Sequence, residues 1–521
     1  MIIDAIQNRD SVELSYIDKN NSICITDILL KDGYYKYVHA EEFETEKDGV
    51  VPNLRAFINN SKIKKIPSSR FSNLNLNEFI NNDIPNMDSD LYSEITALRV
   101  PVPFSIDIEV LPTDEYGYSP QTEAKNPITS ISITDINCGS LQFIVKNEDH
   151  VDITESDMEI IDNKIRNLLG DELYNKWNFK TSIRVFDTEK EMIETFLECM
   201  RKYFTSIFGW NFIGYDWIYI YHRCLNLGID VKLASPKNKT VNKNLNPNRK
   251  NKTNDTRINY KIPTHRIIQC YMTMFQSSLV FNNRGSYALS DVATDVLGVG
   301  KLGYSGNLRH FYKSDFLGFL AYGFIDTILV MLIHHKVKLY DVEFFESHMN
   351  KIPFLKISQN GISGAMIYNQ LRSENKFLSE EEFSDAPKQK YPGGYVKMPT
   401  KKVIKACIGI DYSALYPNGI LTYELSPERY VDTIIINPQT KLPLNAQQEQ
   451  KWFRYKQMNC VLAPTGRVYS RNNSEGVEEL GLYPKIEKRK QIERGIFKTI
   501  KNKDLFLDIM VNIDEKLKQF A

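Results

Sequence analysis

No two cysteines in this 521-residue chain are spaced as CxxC, and the seven that occur (24, 138, 199, 224, 270, 407 and 460) are scattered and odd in number. That spacing argues against a zinc site and a disulfide framework, and it fits a reducing compartment. Net charge is missing as well, since 65 Lys plus Arg balance 65 Asp plus Glu. Any polyanion partner would have to be met by a local basic surface, not by the chain as a whole. The amino terminus, MIIDAIQNRDSVELSY, has neither a basic nor a long apolar stretch, so no signal peptide is expected. No internal repeat is found.

The length suggests roughly three to four domains. The first hundred residues read as short strands (SVELSYI, SICITDILL, GYYKYVHA), followed by an Asn-rich acidic connector over 81–90. From about 104 to 339, strand-like and helix-like runs alternate, as in an α/β domain. Residues 232–257, rich in Lys and Asn with Asp255 as the one acid, read as a long exposed loop or hairpin. A helical stretch over about 340–372, a polar linker, and a charged helix-prone end over 485–521 complete the chain. The run 316–333 is long and apolar enough to suggest a membrane helix, but it carries Asp326 near its middle. An acid at that depth costs about 2.5–3.5 kcal/mol on insertion, so a buried core helix is the expectation.

Three short patterns could carry chemistry. In PFSIDIEVL (103–111), Phe104, Ile106, Ile108 and Val110 share one face of a strand, and Ser105, Asp107 and Glu109 share the other. Two neighbouring carboxylates repel and are costly to bury, and a divalent cation with oxygen ligands removes both problems. Next comes FGWNFIGYDWIYIYHR (208–223), a strand, a turn with Asn211, and a helix opening at Asp216. In AYGFIDTILVM, Tyr322 and Asp326 lie four residues apart on one helix face. Each has a plainer reading by itself: a solvated edge strand, a helix cap, and an aspartate bonded to a neighbouring backbone.

In this order, D-x-E, N-x-x-x-Y-D and Y-x-x-x-D resemble the three motifs of the DnaQ-like 3′→5′ exonucleases. The resemblance implies that Asp107, Glu109, Asp216 and Asp326 bind two Mg²⁺ or Mn²⁺ ions, and that Tyr322 orients the attacking water. Further along, YPGGYVK (391–397) and DYSALYP (411–417) resemble the Y-x-G-G segment and first palm motif of family B DNA polymerases. AKNPITSISITD, YALSDVATDVLGVGKLGYSG and ELSPERY extend the likeness to the T-even-type bacteriophage enzymes.

In IGIDYSALYPNGI (408–420) a short apolar strand is expected to end at Asp411. Carried over by position, Asp411 is a palm metal ligand and Tyr412 offers a carbonyl to a metal. Leu415 gives a backbone N–H to the dNTP triphosphate, and Tyr416 lies under the incoming sugar. Where the family commonly has Ser, this chain has Ala414 and Asn418. YPKIEKRKQIERGIFKTIK resembles the first fingers helix and places the family's R-x-x-x-K on Arg494 and Lys498; a solvated basic face is the plainer reading.

The implied fold is multidomain, α/β and α+β. A mixed β-rich amino-terminal domain (1–103, completed by about 340–385) precedes an RNase H-like exonuclease domain (104–339). The amino-terminal part of a palm (386–468) and the first part of helical fingers (469–521) follow.

A palm needs a second acid from a D-x-D hairpin, and none follows Asp411. The one D-x-D, Asp88-Ser89-Asp90, is expected to be a loop. The sequence therefore reads as the amino-terminal piece of a split polymerase whose partner chain supplies the remaining fingers, palm and thumb. Other implied partners are primer–template and single-stranded DNA, with a sliding clamp and single-strand-binding protein met through the complete enzyme. No membrane is implied, and the setting would be the cytoplasm of a phage-infected bacterium. In this family a hairpin near 232–257 helps pass the primer end between sites. Two alternatives remain: a stand-alone 3′→5′ exonuclease with a vestigial palm, and a nucleic-acid-binding regulator.

Overall fold

The computed structural model describes residues 1–30, 35–39, 57–59, 63–67, 76–80, 84–378 and 408–499, apart from short internal breaks of which 246–257 is the longest. The segment YPGGYVK and the carboxyl-terminal residues 500–521 lie outside the described residues. The chain forms two compact units, one of residues 1–29 with 84–357 and one of residues 30–83 with 358–521. The stretch 1–103, expected as one domain, thus contributes to both.

In the first unit, β1 (Ile2–Gln7), β2 (Ser11–Ile17) and β3 (Ile23–Leu29) form an antiparallel meander. In the second, β4 (Tyr35–His39) pairs with β6 (Ile63–Pro67), and β5 (Phe57–Asn59) pairs with a strand at Lys376–Leu378. From residue 84 on, the connector is more ordered than its composition suggests. Asp88 caps the helix Ser89–Thr96, its carboxylate accepting the Leu91 N–H at 2.8 Å, and Asp90 lies in the first turn. The lone D-x-D is therefore a helix start, not a loop, because Asp is a strong N-cap and an acid in the first turn favours the helix dipole.

The core of the first unit is a six-stranded sheet. Its members are β7 (Pro103–Val110), β8 (Ile128–Thr134), β9 (Gly139–Val145), β10 (Lys180–Phe186), β11 (Ser206–Gly209) and β14 (Ile267–Cys270), in the order β10-β9-β8-β7-β11-β14. Between β11 and β14 the chain runs out as the antiparallel hairpin β12 (Thr240–Leu245) and β13 (Ile258–Pro263). β7 is central, antiparallel to β8 and parallel to β11, so the solvated-edge reading of D-x-E does not apply.

The alternation seen in the sequence sorts β7's two faces. Ile106, Ile108 and Val110 enter a core with Phe196 and Trp217 from the helices Glu189–Lys202 and Asp216–Leu227. Each such side chain contributes about 1.5–3 kcal/mol on burial, which offsets the cost of ionisable groups on the opposite face. That opposite face is covered by the helix Phe316–Val337, the apolar run noted above. It is long and apolar enough to cross a membrane, yet 89% of its most apolar window is buried within the protein.

Small polar side chains on the sheet let this helix settle closely. The Gln142 amide donates to Ser132 Oγ at 2.9 Å and to the Leu320 carbonyl at 3.3 Å, and the Thr134 and Thr327 hydroxyls lie 2.7 Å apart. A Cβ on Gly323 would lie 2.6 Å from the Gln142 amide nitrogen and 2.7 Å from Ser132 Oγ, so only glycine permits this approach.

Candidate metal centre

The buried face of β7 and the Phe316–Val337 helix meet at an acidic cluster. Carboxylate oxygens of Asp107, Glu109 and Asp326 lie within 4.8 Å of one another. Glu109 and Asp326 are buried and Asp107 half-buried. Oδ1 of Asp326 is buried with no hydrogen-bond partner among the described residues. An orphaned carboxylate oxygen beside two further acids is a donor set suited to a hard divalent cation.

Asp216 stands beside this triad but outside the 4.8 Å group. It is not the cap of its helix: Tyr215 holds that position without a side-chain cap, and Asp216 is the first helical residue. Its buried carboxylate accepts from the backbone N–H of Ile108 and from its own. β11's pairing with β7 stops at Ser105, which leaves the Ile108 N–H for Asp216. The turn between strand and helix depends on two backbone features. A Cβ on Gly209 would overlap the Ile106 carbonyl, and Asn211 adopts a left-handed φ of 63°.

The electrostatics follow from this crowding. Burial first, then Asp216, Asp326 and Glu109, drives Asp107 well above the carboxylate range. Burial and Asp326 push Glu109 up to about 8. Burial pushes Asp216 up to about 7 against the two N–H donors. Burial also raises Asp326, with Lys301 and Tyr322 pulling the other way.

Lys301, which the sequence reading left without a role, also reaches the acidic cluster. Its Nζ lies 2.5 Å from Asp326 Oδ2 and 4.8 Å from the centre of the Tyr322 ring. Burial works against its charge, but Asp326, Tyr322 and Asp107 more than compensate and raise its pKa. Lys301 lies in an irregular loop between Gly300 and Leu302, so no periodicity marks it, and only the fold brings it to the acids.

The second unit gathers no comparable centre among its described residues. Residues 408–412, expected to end a strand at Asp411, form no strand, and Ile408 and Ile410 are 89% and 85% exposed. A strand needs a partner for its backbone, and no described strand pairs with this one. Leu415 and Tyr416 open the helix Leu415–Thr422 after Ala414, which adopts a left-handed φ of 51°. Asp411, Tyr412, Leu415 and Tyr416 are all exposed. That helix packs against the helix Leu482–Thr499, where the Gln491 amide donates to Asn418 Oδ1 at 3.2 Å. Arg494 is exposed on the second helix; Lys498 belongs to it, its side chain outside the described residues.

Comparison with known proteins finds similarity to DNA polymerases. The DNA polymerase family B exonuclease domain matches residues 53–292, which takes in Asp107, Glu109 and Asp216; Asp326 lies beyond the match. The DNA-directed DNA polymerase of Escherichia phage RB69 is 26% identical over 439 residues, 81% of this chain and 45% of that protein. The DNA-directed DNA polymerase of Enterobacteria phage T4 is 26% identical over 273 residues, 52% of this chain and 29% of that protein. A 49-residue stretch, 9% of this chain, is 37% identical to 4% of a DNA polymerase of Pyrococcus horikoshii. The chain spans less than half the length of the phage relatives it matches. The chain is thus similar to family B DNA polymerases, and its match over 53–292 to their exonuclease domain implies use of a divalent metal.

Proposed function

We propose that the first unit is a two-metal 3′→5′ proofreading exonuclease that removes nucleotides one at a time from a DNA end. The observation that carries this reading is the convergence of Asp107, Glu109 and Asp326 around an orphaned carboxylate oxygen, with Asp216 and Lys301 at its edge. Asp107, Glu109, Asp216 and Asp326 would hold Mg²⁺ or Mn²⁺. Two such ions would supply Lewis-acid polarisation of a water and charge neutralisation at the leaving 3′ oxygen.

The chain's own residues do the rest. Tyr322, on the helix face that carries Asp326, orients the water that attacks the terminal phosphodiester. Lys301 balances part of the negative charge that four acids and a phosphate bring to one place. The surrounding core excludes bulk water and strengthens each of these interactions. The products are a nucleoside monophosphate and a strand shorter by one residue.

The second unit supports a further reading, that this chain is the amino-terminal subunit of a split replicative polymerase. Residues 104–339 are then the exonuclease domain, 1–103 with 340–385 the amino-terminal domain, 386–468 the start of the palm and 469–521 the start of the fingers. Asp411 and Tyr412 would hold palm metal, and Leu415, Tyr416, Arg494 and Lys498 would contact the dNTP. The exposure of Asp411, Tyr412 and Tyr416 favours this reading, because among the described residues Ile408, Ile410, Leu415 and Tyr416 form an uncovered apolar strip. A second chain would bring the D-x-D acid, the remaining fingers and the thumb. The sliding clamp and single-strand-binding protein would be met by the complete enzyme, in the cytoplasm of an infected bacterium.

The test is an end-labelled primer–template with Mg²⁺, with and without dNTPs. Shortening without extension is expected. Extension by this chain alone would overturn the two-chain reading, and absence of shortening would overturn the exonuclease.

A further inference from the structure

Beside the acids of β7, the sheet carries a row of hydroxyls on β8. The antiparallel register sets Glu109 opposite Ser130, Asp107 opposite Ser132 and Ser105 opposite Thr134. Directly opposed residues project to one face of a sheet, with Cβ atoms about 4.5–5.5 Å apart. Each acid of β7 is therefore offered a hydroxyl by the neighbouring strand, under the Phe316–Val337 helix. Two of the three hydroxyls are already engaged. Ser132 Oγ accepts from the Gln142 amide, and Thr134 Oγ1 lies 2.8 Å from Ser140 Oγ and 2.7 Å from Thr327 Oγ1. Ser130 differs: it is fully buried, and its Oγ has no hydrogen-bond partner among the described residues.

Glu109 lacks a donor in the same way. The Asp216 carboxylate accepts two backbone N–H groups, and that of Asp326 meets Lys301 and Tyr322. Among the described residues no group donates to the Glu109 carboxylate, although this residue is only 7% exposed. Its backbone, by contrast, is pinned from β8. The Thr129 hydroxyl donates to the Glu109 carbonyl at 3.0 Å, where the register shifts between Glu109 and Val110. A buried hydroxyl without a partner is costly, and a carboxylate that binds metal is ordinarily steered by an outer hydrogen bond. The two gaps fall on opposed residues, and one bond would close both.

We propose that Ser130 is a positioning residue for the metal centre, its hydroxyl donating to one carboxylate oxygen of Glu109 and so fixing which oxygen faces the cation. The competing acceptor is Gln142 Oε1, which is also buried without a partner among the described residues. Gln142 stands opposite Ser132, one pair along the sheet. A bond from Ser130 to Gln142 would tie β8 to β9 and do nothing for the metal. This inference rests on the exonuclease reading and adds to it a residue outside the acidic motifs.

Two titrations on the whole chain test it, using Ser130→Ala and Ser130→Cys, the second of which keeps the shape and offers only a weak donor. The first follows melting temperature against Mg²⁺ or Mn²⁺ without DNA, so that metal binding is read apart from turnover. The apparent cation Kd fitted from that rise is expected to increase about tenfold in Ser130→Ala, and by at least about threefold in Ser130→Cys. Ser105→Ala removes a hydroxyl equally buried and equally without a partner among the described residues, but opposite Thr134 and not an acid. Its Kd is expected to stay within about twofold of wild type. The second titration follows cleavage of a single-stranded oligonucleotide. At limiting Mg²⁺ the kcat of Ser130→Ala is expected to fall about tenfold with KM for DNA within about twofold, and saturating Mg²⁺ is expected to restore most of the loss. A Kd for Ser130→Ala within about twofold of wild type, or an equal rise in Ser105→Ala, would overturn the proposal. So would a loss of stability with an unchanged response to metal, the mark of a bond to Gln142. Should Ser130→Ala fail to fold, a wild-type metal response in Ser130→Cys overturns it equally. A wild-type chain that binds metal but cleaves nothing would sink the exonuclease reading, while the melting titration would still decide the role of Ser130. A wild-type chain indifferent to both cations would overturn both.

Discussion

Asp326 and Asp411 make an instructive pair. Each follows an apolar run, each was matched to a metal-binding motif, and the fold treats them in opposite ways. Asp326 sits on a helix buried against a six-stranded sheet, within 4.8 Å of two acids from a central strand. Asp411 lies in an exposed segment whose neighbouring isoleucines face solvent. The difference is whether described residues of the same unit supply the cover. Where they do, burial crowds the carboxylates together. Where they do not, the same kind of residue stays exposed.

The contrast can be broken most decisively at Asp107. Asp107→Asn is expected to lower Mg²⁺-dependent cleavage by on the order of 10³-fold, the equivalent of several kcal/mol of charge stabilisation. In EDTA the same change should raise the melting temperature by about 2–4 °C, because it relieves carboxylate crowding. A loss of stability instead would mean that the acids are not strained without metal.

Lys301→Met comes next. It is expected to cost roughly 2 kcal/mol in EDTA, discounted for a side chain 28% exposed, and less in Mg²⁺, as denaturant melts in the two buffers would show. An equal cost in both would mean that lysine and metal do not share the task of neutralising the cluster.

A pH titration of stability sharpens the comparison further. Burial foremost, with Lys338 and His335 adding to it, lowers His334 to about 3. Its folded pKa lies below the unfolded one, so only the unfolded chain takes up the proton as pH falls from about 6.5. Stability should therefore drop by about 2 kcal/mol between pH 6.5 and 5 from this group. Chemical denaturation across that range is expected to show a shallower slope for His334→Gln.

The smallest effect is expected at Asp411→Ala. It should change the stability of this chain by no more than about 0.5 kcal/mol and leave cleavage untouched. On the proposed split-polymerase reading, DNA synthesis with the partner chain added should be abolished. A clear fall in melting temperature would show that Asp411 is packed after all.

Much of the acidic cluster was legible in the sequence because strict alternation in PFSIDIEVL and a four-residue spacing in YGFID are local signals. Those periods assigned the faces of β7 and of the Phe316–Val337 helix correctly. Asp216 was legible as a motif residue but not as a buried acceptor, since its Ile108 partner is more than a hundred residues away. Lys301 was legible as part of the segment YALSDVATDVLGVGKLGYSG but not as the partner of Asp326, which only long-range packing supplies. Among the described residues 408–411 no strand leads into Asp411, because apolar alternation makes a strand only where another strand accepts its hydrogen bonds.

The sequence by itself determined which residues could bind metal and which faces of their elements would be apolar, because side-chain chemistry and backbone periodicity are properties of neighbours in the chain. Tertiary structure alone decided which acids converge and which lysine neutralises them. Those outcomes depend on close approach, such as that allowed by Gly323 against Ser132 and Gln142, and on burial, which sets the energy of every charge.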